Sequence, residues 1–147
     1  MADQTKLAND MAAVSRAMVS LHKEQFGRGP TRARSHLSGR DTLVCVLEDA
    51  LLPAEVKLVK LGEASRVRET RIAFQVATRE EFIAAVEQIL YRKVYAFASS
   101  LDPEKGVVFE NFTFESLAAA ELSDDLDVAA KSTDGTADGD RRDGEMH

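Results

Sequence analysis

The residues best suited to chemistry crowd into one stretch, FGRGPTRARSHLSGR at 26–40, which holds Gly27, Gly29, Pro30, four arginines and His36 and no acid. Arg28, Arg32, Arg34, His36 and Arg40 form a basic set of the kind that holds a phosphate or a carboxylate, because a guanidinium is a planar, permanently charged fork of donors. The glycines narrow the choice. A Walker loop needs four residues between its glycines and then Lys-Ser/Thr, and a dinucleotide fingerprint needs GxGxxG between a strand and a helix. Gly27-x-Gly29 leaves a helix and enters a strand, so neither motif is present. Turn chemistry accounts for the same residues as a helix stop, a turn and an extended Pro30. Gly27, Arg28, Gly29, Pro30, Arg32, Arg34, His36 and Arg40 are therefore the candidate anion- or partner-binding set, with a solvated, salt-bridged strand face as the plainer reading. No aromatic lies between the arginines for a base to stack upon, which disfavours nucleic acid.

Other constellations are thin. His22 sits late in a helical stretch, and His147 is the last residue. Cys45 lies between Val44 and Val46, where a thiol is usually inert core; a catalytic role for it or for His36 would need a pocket and a perturbed pKa. Arg66, Arg68 and Arg71, divided by Glu69, read as an exposed helix face. Asp134, Asp138, Gly139 and Glu145 fall at four positions of a calcium loop, but Thr136 and Arg141 break the pattern, so no metal site is expected. Nothing assembles a nucleophile, a base and an orienting group, and no cofactor motif is present.

Totals bound the rest. The chain of 147 residues is 44% hydrophobic, enough for one buried core, and its single cysteine excludes an internal disulfide framework. No apolar run approaches the ~18–20 residues that span a bilayer, and MADQTKLANDMAA is too acidic for a secretory signal, so a soluble cytoplasmic protein is expected. From Glu121 to His147 acids outnumber bases nine to three; that segment carries the whole net charge of −6 and leaves residues 1–120 neutral. Its Ala, Asp, Gly and Ser content predicts a disordered acidic tail at 119–147 after a single domain at 1–118.

The elements follow from periodicity. Leu7, Met11, Val14, Met18 and Leu21 form one stripe of a helix over 5–25, which packs on the core or, alternatively, forms a coiled-coil seam. A hairpin joins Thr31–Leu37 to Thr42–Asp49, and a one-residue change in its turn decides whether the arginines lie beside Val44 and Val46 or beside Leu43 and Cys45. TLVCVLED, apolar on both faces, reads as a central strand. Pro53 and Glu55 start a helix that Gly62 interrupts. A helical run over 63–77 follows, and Thr78 with Glu81 matches a capping box that would start a further helix. A second hairpin joins Lys93–Ser100 to Val107–Glu115 through Asp102-Pro103-Glu104-Lys105-Gly106, with Val108, Phe112 and Phe114 on a face interrupted by Glu110. The class expected is α+β, two-layer, with an antiparallel sheet of about four strands from two hairpins and helices on one face, in the order α-β-β-α-α-β-β.

Three motifs carry a resemblance. The GRGP step at Gly27–Pro30, the L-x-P-A-E helix start at Leu51–Glu55 and the hairpin KVYAFASSLDPEKGVVFENF, with Val108-Phe109 near its close, are similar to the small bacterial MpsC-type domain over roughly residues 7–115. The resemblance implies a part in a system described as sodium-translocating and membrane-potential-generating, whose other components are membrane proteins. It supplies no catalytic residues. Tyr91-Arg92 stands where the resemblance leads one to expect a glycine, and the acidic tail is an addition. The expected function is a non-enzymatic accessory or regulatory domain that contacts membrane transport proteins, with a homodimer as a further expectation and no insertion into the membrane. The alternative is an anion- or nucleic-acid-binding module using Arg28 to Arg40.

Overall fold

Strand alternation and helical periodicity produce seven elements in the computed structural model, which describes residues 2–116. They are α1 (Ala2–Phe26), β1 (Arg32–Ser38), β2 (Thr42–Glu48), α2 (Pro53–Lys60), α3 (Ala64–Leu90), β3 (Val94–Asp102) and β4 (Val107–Phe114). The domain limit at 118, the tail and the calcium-loop-like match lie outside the described residues. All pairings are antiparallel, in the order β1-β2-β4-β3, so TLVCVLE is a central strand and the two hairpins join through β2 and β4.

Register sorts the sheet into rows. On the helix-covered face Leu37, Leu43, Phe112 and Phe97 lie side by side across the four strands, and so do Ala33, Leu47, Val108 and Leu101. Val14 and Met18 of α1 and Phe82 and Val86 of α3 pack into these apolar rows. Phe82, Phe97 and Phe112 stack in sequence with centroids 5.8 and 4.7 Å apart, geometry that adds to their burial. The α1 stripe is thus core from Met11 to Leu21, not a coiled-coil seam, while Leu7 is exposed. The opposite sheet face carries Val44, Val46 and Phe109, half-buried, and no described element covers it.

The expected break at Thr78 does not occur. α3 runs unbroken from Ala64 to Leu90, and the Thr78 hydroxyl donates to the Phe74 carbonyl at 2.7 Å instead of capping a new helix. The surrounding chain holds neither Gly nor Pro, and a threonine hydroxyl satisfied by its own preceding turn leaves the helix intact. Gly62 does divide α2 from α3. At the end of α3, Tyr91 adopts φ +53, the left-handed cap conformation, with its N–H on the Glu87 carbonyl. That is the geometry for which a glycine is the ordinary choice; here the tyrosine side chain simply stands in solvent.

Candidate functional site

The sequence-predicted arginines separate into three settings. Arg28 is spent on the fold: it pairs with Asp49 at 2.6 Å and donates to the carbonyls of Asp49 and Leu51, tying the end of α1 to the β2–α2 connection. Gly27 and Gly29 let the chain pass; a Cβ on Gly29 would lie 3.0 Å from the Val19 carbonyl oxygen, and Gly27 has φ +75. Pro30 is buried behind them. Arg32 and Arg34 project from the open sheet face and share Glu48 at 3.5 and 3.6 Å. The register places Arg34 beside Val46 and His36 beside Val44, which resolves the hairpin question. Arg40 sits in the turn, where its carbonyl accepts from Arg92 at 2.6 Å.

A different constellation forms under the helices. Between the two apolar rows, register aligns Ser35, Cys45, Glu110 and Ser99, one from each strand, as a polar row crossing the core. Helix α1 meets it twice: the Ser15 and Ser35 hydroxyls lie 2.8 Å apart, and His22 Nε2 lies 3.0 Å from Glu110 Oε1. The Ser35 hydroxyl also donates to Cys45 Sγ at 3.4 Å. Nearby, Arg71 of α3 is nearly buried; its Nε and Nη2 reach both oxygens of Glu55 and Nη2 also reaches the Ala50 carbonyl, while its guanidinium lies 3.8 Å from the centre of the Phe26 ring. A planar fork on a carboxylate is the strongest arrangement such a pair can take.

These groups border a solvent-open cavity of about 240 Å³ between the end of α1, the middle of α3 and the β3–β4 hairpin. Its apolar wall comes chiefly from Phe26, Ile72, Phe82, Phe97 and Leu101. Among the described residues the buried side-chain polar atoms without a partner are His22 Nδ1, Gln25 Nε2, Arg71 Nη1 and Glu110 Oε2, and all four residues line this cavity. Their concentration in one place gathers unused hydrogen-bonding capacity on the cavity wall.

Cys45 belongs to the row but not to the cavity wall. Burial pushes its thiol up from 9.0 to about 11, the Ser35 hydrogen bond pulls it down, and the Glu110 charge pushes it up again. The folded chain therefore holds this proton more tightly than the unfolded chain. The stability so provided is full below pH 9 and is lost as pH rises to about 11, about 3 kcal/mol in all. In urea unfolding, Cys45→Ala is expected to show a shallower fall of stability over that window than the parent; equal slopes would refute the burial of a protonated thiol.

A family model described as "Na+-translocating membrane potential-generating system (MpsC)" matches residues 9–116. The chain belongs to the MpsC family. No curated protein and no solved structure matches it. In this MpsC chain no helix among the described residues is long and apolar enough to cross a membrane, and the same residues contain no cluster of ligands suited to a metal ion.

Sequence reasoning did not find the cavity residues of this MpsC domain, although signals existed. His22 and Gln25 continue the Val14–Met18 stripe, and Glu110 occupies a buried position in the alternation of β4. Arg71 contradicts its reading as part of an exposed helix face: only Arg66 and Arg68 are exposed. Splitting the helix at Thr78 concealed the fact that Arg71 lies three turns before Phe82 on the same buried side.

Proposed function

We propose that this chain is a non-enzymatic accessory or regulatory component of a Na+-translocating, membrane-potential-generating system, working in the cytoplasm through contacts with membrane transport proteins. The observation that carries the reading is the family match across residues 9–116, a stretch in which no described helix could cross a membrane. A domain built this way would act on transport machinery and would not form the ion path. Its surface supports protein contact: Ile72 and Val76, one turn apart on α3, are 56% and 72% exposed, and the open sheet face offers Val44, Val46 and Phe109. Pairing of two copies is a further use of the same ground.

The test is crosslinked affinity purification of the tagged protein from its own cells at low and physiological salt. Integral membrane transport subunits should be recovered at both, and Ile72→Asp with Val76→Asp should lose them, because an apolar contact responds little to screening. A second reading, anion or nucleic-acid binding, is favoured by one observation: Arg32, Arg34 and His36 share an exposed face. Recovery of nucleic acid or of partners that salt removes would favour it and overturn the first reading.

A further inference from the structure

We infer that the cavity between α1, α3 and the β3–β4 hairpin binds a small organic carboxylate with an apolar, ring-sized body and a hydrogen-bond donor at its far end. Size comes first. A cavity of about 240 Å³ accommodates one six-membered ring with short arms. Phe26, Phe82 and Phe97 on the wall offer a ring the contacts that water cannot use.

Charge and hydrogen bonding then select the ends. Glu55 neutralises Arg71, and His22 Nε2 meets one oxygen of the Glu110 carboxyl group and leaves the other open. Arg68 also lines the cavity, is exposed, and stands in no ion pair among the described residues, which leaves one positive charge for an anion. Gln25 Nε2 and Arg71 Nη1 are donors without acceptors on the same wall. A carboxylate supplies what all three lack. Glu110 Oε2 is an acceptor without a donor, and an O–H or N–H on the opposite end of the ligand would meet it. A bare phosphate would satisfy the donors but leave the aromatic wall empty, so the apolar body is part of the specification. The inference does not depend on which partner protein the domain contacts.

The full chain, ¹⁵N-labelled, is titrated with 4-hydroxyphenylacetate, with phenylacetate, which lacks the donor, and with 4-hydroxyphenethyl alcohol, which lacks the charge. The first should bind saturably with a dissociation constant of about 1 mM or tighter and shift the amides of Gln25, Phe82 and Ser99. Each of the other two should bind about five-fold more weakly or worse, as expected when a buried polar group is left unpaired. Arg68→Gln, a change at an exposed position, should leave the spectrum of the free protein intact. It should weaken 4-hydroxyphenylacetate about five-fold and leave the alcohol unchanged. Absence of saturable shifts, equal affinities for all three probes, or an Arg68→Gln variant that binds them like the parent would each overturn the proposal.

Discussion

Arg71→Ala should lower the folding stability of this domain by about 3–5 kcal/mol, the cost of breaking a buried ion pair from one side. Arg71 and Glu55 side chains are only 8% and 11% exposed, and the guanidinium holds three pieces of chain together. It fills both oxygens of Glu55 at the start of α2, donates to Ala50 before that helix, and covers Phe26 at the end of α1. Truncation removes all of these at once and leaves a carboxylate with one remaining donor, the Leu52 N–H at 2.8 Å. The natural control is Arg66, which pairs with Glu63 in solvent; Arg66→Ala should cost no more than about 0.5 kcal/mol. Urea unfolding of the two variants, with the midpoint shift read at unchanged m, makes the comparison. Equal losses at Arg66 and Arg71 would show that the buried fork does not anchor the helices.

The second large effect concerns His22 and Glu110, whose side chains are 4% and 3% exposed and meet at 3.0 Å. His22→Leu leaves the buried Glu110 carboxyl group without its hydrogen-bond partner and should cost about 3 kcal/mol. The double variant His22→Leu with Glu110→Leu should recover most of that loss or exceed the parent, because two apolar side chains suit the Val108 and Phe112 neighbourhood better than two polar groups that each carry an unpaired atom. A double variant as unstable as His22→Leu alone would refute the view that the pair is a net cost. With the expected outcome, the polar row is present at the expense of stability, which is the pattern of a site and not of a core.

Much of the architecture was legible because it rests on local chemistry. The continuous apolar run in TLVCVLE, the shared face of Val108, Phe112 and Phe114 in VVFENFTF, the Asp102 to Gly106 turn, Pro53 at a helix start and Gly62 at a helix end are each decided within a few residues, and all appear where the pattern places them. Gly27 and Gly29 were likewise legible as a passage from helix to sheet, and Arg28 turns out to be the pin that holds that passage in place. Thr78 was misleading for a local reason: the same hydroxyl that caps a helix start can bond backwards within one, and four residues do not say which.

What local pattern could not supply was the partner across a strand or a layer. The turn at Gly39 to Asp41 admits two registers, and only the assembled sheet puts Arg34 beside Val46 and aligns Ser35, Cys45, Glu110 and Ser99 in one row. His22 and Glu110 are 88 residues apart in the chain, and Arg71 meets Glu55 and Phe26 only after three helices have packed. Residue order therefore determined the elements, their sequence and the family, all of which follow from short-range sterics and periodicity. The cavity and its unpaired polar atoms arise from long-range packing, whose energy depends on which faces meet, and that was decided only when α1 and α3 closed over the sheet.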